Sequence, residues 1–180
     1  MSGMVVWVTG LSGSGKTTLC RSLYQLLKPD LPELVLLDGD ILRAAFGHDL
    51  GYTEGDRVIQ VRRVQGLAKA LSDQGLIVFV AVLYAHPELL RWNRRHIAEY
   101  FEVYLEASLE TVWQRDSKQL YARAVSGLEK NMVGIDIPWH APESPDLVIN
   151  ADHPEPPEVL ARRVAEAVPQ LARVLGASRR

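Results

Sequence analysis

Gly10-Leu11-Ser12-Gly13-Ser14-Gly15-Lys16-Thr17 fits the spacing G-x-x-x-x-G-K-[ST], and each residue type in it has a physical task. Glycines let successive backbone N–H groups turn inward around phosphate oxygens, and the helix that follows adds its positive N-terminal end. Lys16 has the reach to meet the β and γ phosphates, while Thr17 offers a hydroxyl to Mg²⁺. A second constellation is Asp38-Gly39-Asp40, placed where an apolar run ends. A carboxylate there can hold Mg²⁺ through water or take a hydroxyl proton during phosphoryl transfer. The structural alternative is a turn bond from Asp38 and helix capping by Asp40.

Cations and aromatic rings follow at helical spacing. Arg43 lies one helical turn past Asp40, and Arg57, Arg62 and Arg63 share the next long helical stretch. Bidentate guanidinium groups suit phosphate or sulfate, against a bland reading as a solvated face. Phe46, Tyr52 and Trp139 can stack on a base or fill a core. Lys118, Arg123 and Lys130 lie in a segment rich in charge, glycine and proline, from which they can close over phosphates. The histidines form no spaced set, and no Cys/His group has metal-ligand spacing.

Alternating strand-like and helix-like periods must position these groups. Strands are expected at Val5–Thr9, Leu34–Leu37, Leu76–Tyr84, Glu102–Leu105 and Leu147–Asn150. Helices are expected at Lys16–Leu27, Ile41–Phe46, Asp56–Gln74, Pro87–Ala98, Ser108–Trp113 and Pro157–Leu175. The unbroken apolar run Leu76–Tyr84 reads as a central strand of a parallel sheet, lying beside the first. Arg115 to Pro145 reads as a mobile lid with one amphipathic patch at Leu120–Leu128, and the Ser178-Arg179-Arg180 tail is expected to fray. The fold class is α/β, a P-loop NTPase-type three-layer sandwich with a mostly parallel sheet, in one domain of 180 residues.

Composition narrows the function classes. With 47% hydrophobic residues, disorder is excluded, and a chain of this length supports a full core without disulfide or metal. Twenty basic against 22 acidic residues, net charge -2, argue against a broad nucleic-acid face and favour a small anionic ligand. Cys20 is the only cysteine, which fits a reducing compartment, and no apolar run reaches the length of a membrane span. A cytoplasmic, soluble protein is expected. Neither Asn-Lys-x-Asp nor Asp-x-x-Gly occurs, so a GTPase switch is unsupported.

Together these segments resemble the adenylylsulfate kinase family, which transfers the ATP γ-phosphate to the ribose 3'-hydroxyl of adenylyl sulfate. The likeness runs through Gly10–Thr18, Leu37–Asp40 with Arg43, Asp49–Tyr52, Asp56-Arg57 and Arg62-Arg63. It continues through Arg115-Asp116 with Leu120-Tyr121, Gly134–Asp136, and Ala141–Glu143 with Pro145. By that resemblance Asp38 and Lys16 are catalytic, and Thr17 and Asp38 lie at Mg²⁺. Gly10, Ser12, Gly13, Ser14, Gly15, Lys16, Thr17, Thr18 and Arg115 take ATP. Asp38, Asp40, Arg43, Tyr52, Arg57, Gln60, Lys130 and Met132 take the acceptor nucleotide, Arg43 and Arg57 at its phosphosulfate and Tyr52 at its base. A homodimer is implied as well.

Three departures fall at the acceptor. The family's Ser-Pro-Tyr-Arg is Val82-Leu83-Tyr84-Ala85, its asparagine is Gln60, and its lid phenylalanine is Met132. With Trp92-Asn93-Arg94 and Asn131–Ile137, these changes are similar to relatives from surface-polysaccharide gene clusters that phosphorylate cytidine diphosphoramidate. Adenylyl sulfate is the first candidate acceptor and the cytidine compound the alternative. An ATP-binding regulatory subunit with a decayed acceptor site is the reading from another class.

Overall fold

Strand β1 (Met4–Thr9) is buried along its whole length because parallel neighbours flank it and helices cover both sheet faces. Its side chains alternate between two cores. Met4, Val6 and Val8 join Leu19, Leu23, Phe79 and Val164 on one side, while Val5 and Trp7 join Val61, Val64, Val80 and Leu90 on the other. The computed structural model describes residues 3–115, 119–128 and 130–177. Asp116 and Lys118, which the sequence places in the lid, and the Ser178–Arg180 tail lie outside them.

The chain continues as α1 (Lys16–Leu27), β2 (Leu34–Asp38), α2 (Gly39–Ala45), α3 (Glu54–Asp73), β3 (Ile77–Val82) and α4 (Pro87–His96). It ends through β4 (Tyr100–Glu106), α5 (Leu109–Gln114), α6 (Leu120–Val125), β5 (Leu147–Asn150), α7 (Pro157–Ala167) and α8 (Pro169–Ala177). The five-stranded sheet has the order β2-β3-β1-β4-β5 and every pairing is parallel. β3 lies beside β1, as its apolar run implies, with Trp7 opposite Val80. The connection from β1 runs to β2 at one edge and that from β3 runs to β4 on the other side, so a crevice opens between the carboxyl ends of β1 and β3, where α/β sheets bind ligands.

Local chemistry sets the helix ends. Thr53 caps α3, accepting the Asp56 N–H at 3.2 Å while its hydroxyl donates to Asp56 Oδ2 at 2.7 Å, so the helix begins at Glu54 rather than Asp56. The single helix expected over Pro157–Leu175 is two, α7 and α8. Val168 is extended, with φ -89° and ψ 112°, because the residue before a proline is pushed out of helical geometry and Pro169 has no N–H to give. The apolar stripe nevertheless continues across the break through Val164, Val168 and Leu171. No helix of the described residues is long and apolar enough to cross a membrane.

The segment expected to form a lid is partly built into the core. Met132, Val133 and Ile137 are buried in the cluster on the α3 side of the sheet, and Tyr121 of α6 is buried with them.

Candidate active site

The loop after β1 and the end of β2 meet at the crevice. A side chain at Gly10 would place its Cβ 2.5 Å from the Leu105 carbonyl oxygen and 2.7 Å from Ser14 Oγ, so only glycine lets the loop turn against β4. Gly15 has φ 100°, a left-handed geometry, and precedes α1 without a side-chain cap, so the first turn of the helix begins directly at the loop. Lys16 Nζ donates to the Leu11 carbonyl at 2.7 Å, which holds the ammonium over the loop.

Asp38 ends β2 and acts in two directions. Its Oδ1 accepts the N–H groups of Asp40 at 2.9 Å and Ile41 at 3.3 Å, capping α2, and its Oδ2 accepts the Thr17 hydroxyl at 2.7 Å. Asp38, not Asp40, is therefore the helix cap, because it is the residue with extended backbone before the helix, φ -100° and ψ 130°. The cap leaves Asp40 in the first helical turn, at the cleft. Near Asp38 the thiol of Cys20 is fully buried. Burial, and then the charge of Asp38, raise its pKa far above the ordinary range, which leaves it inert.

These groups line one cleft of about 620 Å³. Its phosphate end consists of Ser12, Gly13, Gly15, Lys16, Thr17 and Thr18, with Arg115 at the side. Asp38, Asp40, Arg43, Tyr52 and Arg57 line it too, as do Lys130 and Met132 from the segment expected to form a lid. Gly10 and Ser14 support the loop from behind and are outside the wall, Ser14 Oγ being buried with no hydrogen-bond partner. Gln60 is also outside the wall. It is buried one turn along α3 from Arg57, and its Nε2 has no partner.

Two guanidinium groups converge on one ring. Arg43 Cζ stands 4.6 Å and Arg57 Cζ 5.6 Å from the Tyr52 ring centre. Arg43 is buried, and its Nη1 donates to the Leu50 carbonyl at 3.0 Å and the Gly51 carbonyl at 2.7 Å, so it also staples the loop that carries Tyr52. Arg57 donates from Nε to the Tyr52 carbonyl at 3.1 Å and from Nη2 to the Asn131 carbonyl at 2.7 Å. Burial lowers the Arg57 pKa first and the neighbouring Arg43 charge second, as expected of two cations sharing a place suited to an anion.

Other sequence candidates stand elsewhere. The Arg63 guanidinium lies 5.6 Å over the Phe46 ring and pairs with Asp49 at 2.6 Å, and Trp139 packs 6.1 Å from Tyr104. Neither Phe46 nor Trp139 lines the cleft, nor does Arg123. Sequence reasoning gave His48 no site role and named Leu83, Tyr121 and Asn131 only as members of motif or departing segments, yet all four are in the wall. Tyr121 donates to the Ser12 carbonyl at 2.8 Å across 109 residues of sequence, a contact that no periodicity reveals. At the departure Val82–Ala85, Leu83 faces the cleft while Tyr84 is buried and donates to Glu54 at 2.5 Å.

The donor set fits a magnesium ion carried in with a nucleotide. Thr17 and Asp38 give one hydroxyl and one carboxylate beside the loop, and Mg²⁺ ordinarily takes one or two such groups plus phosphates and water. Among the described residues no group of three or more His, Cys, Asp or Glu could hold a metal alone.

A phosphate loop at the central strand, a carboxylate across from its threonine and a helix, α6, tied to the loop through Tyr121 define a P-loop kinase. The chain belongs to the adenylylsulphate kinase family, whose model matches residues 2–150. It is 40% identical over 175 residues, 97% of each chain, to the adenylyl-sulfate kinase of Paraburkholderia xenovorans. It is also 40% identical over 146 residues to the cytidine diphosphoramidate kinase of Campylobacter jejuni, covering 81% of this chain and 85% of that one. The structure of the Mycobacterium tuberculosis APS kinase in complex with AMPPNP and APS superposes with a TM-score of 0.85, at 33% identity over 92% of this chain and 97% of that one.

Proposed function

We propose that the protein transfers the γ-phosphate of MgATP to the ribose 3'-hydroxyl of a nucleotide bearing an activated 5' group, with adenylyl sulfate as the first acceptor. What carries the reading is one cleft lined by the phosphate loop, by Asp38 bonded to Thr17, and by Arg43 and Arg57 gathered on Tyr52. Two anionic nucleotides fit such a cleft end to end, the donor on the loop and the acceptor on the arginines.

Loop amides and Lys16 bind the donor phosphates and neutralise charge as it builds on the leaving oxygen. Bound Mg²⁺ supplies charge neutralisation across the phosphates, held through Thr17 and Asp38. Asp38 orients the acceptor hydroxyl and takes its proton, and Arg43 and Arg57 fix the acceptor's 5' group so that hydroxyl and phosphorus meet in line. Arg115, which donates to the Ala151 carbonyl at 2.6 Å, borders the ATP base at the loop after β5. We assign the protein to the cytoplasm as a homodimer.

Cytidine diphosphoramidate is the second acceptor reading, favoured by Met132 where a stacking phenylalanine would serve a purine better. An ADP-release assay with MgATP and each acceptor at matched concentrations tests both. A higher kcat/KM with adenylyl sulfate is expected; preference for the cytidine compound reassigns the acceptor. Tight ATP binding with no product from either would instead indicate a regulatory subunit.

A further inference from the structure

The lid residues facing the acceptor end are held by a single carboxylate. Asp136 accepts the Asn131 N–H on Oδ2 at 2.6 Å and the Met132 N–H on Oδ1. The Met132 carbonyl in turn accepts the N–H groups of Ile135, Asp136 and Ile137, each at 3.1 Å, and Gly134 donates to the Ile137 carbonyl at 2.8 Å. Val133 and Ile137 pair as an isolated bridge beneath the turn. Asn131 is thereby set at φ 62°, a left-handed geometry that asparagine tolerates better than most residues.

Two consequences reach the cleft. The Asn131 carbonyl takes Arg57 Nη2 at 2.7 Å, which fixes the guanidinium against Tyr52, and Met132 is presented to the wall from the adjacent residue. Asp136 itself is not in the wall. Burial opposes its charge, but the amides of Asn131 and Met132, its own amide and the nearby Arg57 outweigh that and hold its carboxyl below the usual range. It therefore stays ionised, as a grip on two N–H donors requires.

We infer that Asp136 is the positioning residue of the acceptor site: by gripping the Asn131 and Met132 amides it sets both the carbonyl that holds Arg57 and the side chain that meets the acceptor base. This rests on the acceptor reading above. Asparagine at this position keeps one accepting oxygen and turns an NH₂ toward the other amide, so the turn loses half its clamp with little change in volume. Glutamate restores both oxygens on a longer arm.

The test compares wild type, Asp136→Asn and Asp136→Glu in steady-state kinetics with MgATP and each of the two acceptors, alongside melting curves. Asp136→Asn should raise the acceptor KM about tenfold, leave the KM for MgATP and the melting temperature within error, and be partly rescued in Asp136→Glu. An unchanged acceptor KM, or equal rises in both KM values, overturns the positioning role while leaving the kinase reading intact. If wild type neither turns over nor binds either acceptor, the acceptor reading fails and the role of Asp136 fails with it.

Discussion

Thr17 Oγ1 donates to Asp38 Oδ2 at 2.7 Å, joining the start of α1 to the end of β2 across 21 residues of sequence. That bond places the carboxylate beside the phosphate loop, and the other Asp38 oxygen is spent on capping α2. Substituting Asp38→Asn separates these roles, because asparagine caps helices about as well as aspartate but neither takes a proton nor carries charge. Turnover should fall by about 10²- to 10⁴-fold while ATP still binds and the melting temperature holds. Stopped-flow ATP binding and steady-state kcat check this; an unaltered kcat removes Asp38 from the chemistry.

Arg43 and Arg57 face the same ring but differ in how much structure they hold. Arg43 is buried and its Nη1 serves two loop carbonyls, so Arg43→Ala should weaken the acceptor and also cost about 1.5–3 kcal/mol of stability. Arg57→Ala should raise the acceptor KM with a smaller loss in denaturant midpoint, since its bonds run to the edge of the cleft. Equal stability losses in the two variants would contradict this division.

Met132 is 6% exposed, so a phenylalanine of similar volume fits with little strain. Ring stacking contributes about 0.5–1.5 kcal/mol beyond area, and a purine offers more face than a pyrimidine. Met132→Phe should therefore improve kcat/KM for adenylyl sulfate relative to cytidine diphosphoramidate by about two- to tenfold. Parallel changes for both acceptors would show that this side chain does not select the base.

The phosphate loop and its flanks were legible because their signal is local: an apolar run, glycines at fixed spacing and an amphipathic helix lie within 27 residues of the start. Asp38 was visible as a strand-end carboxylate, but its bond to Thr17 depends on how β2 and β1 sit around β3, which periodicity does not encode. Gln60 shares a helix face with Arg57 by spacing, yet it turns toward the core with Val61 and Val64. Pro169 was readable as a breaker, and only the apolar stripe that continues past it made one helix look plausible. Tyr121, Asn131 and Asp136 act through contacts of the lid with distant or reversed chain, where composition alone carries little signal.

Glu102 gives the last prediction. It lies in β4 at 1% exposure, accepts the Tyr100 hydroxyl at 2.7 Å and has Arg94 Nη2 at 3.8 Å. Asn93, bonded to Gln65 at 2.7 Å, donates to Tyr100 at 3.1 Å, so the carboxylate ends a chain that ties α3 and α4 to β4. Burial raises its pKa; Tyr100 and then Arg94 pull it down, the Asp146 charge adds a smaller rise, and the net shift is upward. A raised carboxyl makes the folded protein hold a proton that the unfolded chain has already released. Its contribution to stability is therefore full below the usual carboxylate pKa and is lost as pH rises through the folded value. Glu102→Gln removes that titration while keeping an oxygen for Tyr100. The melting temperature of the variant minus that of wild type should become more positive as pH rises above the usual carboxylate range. A difference that stays flat or declines over that rise would mean that Arg94 compensates the buried charge in full.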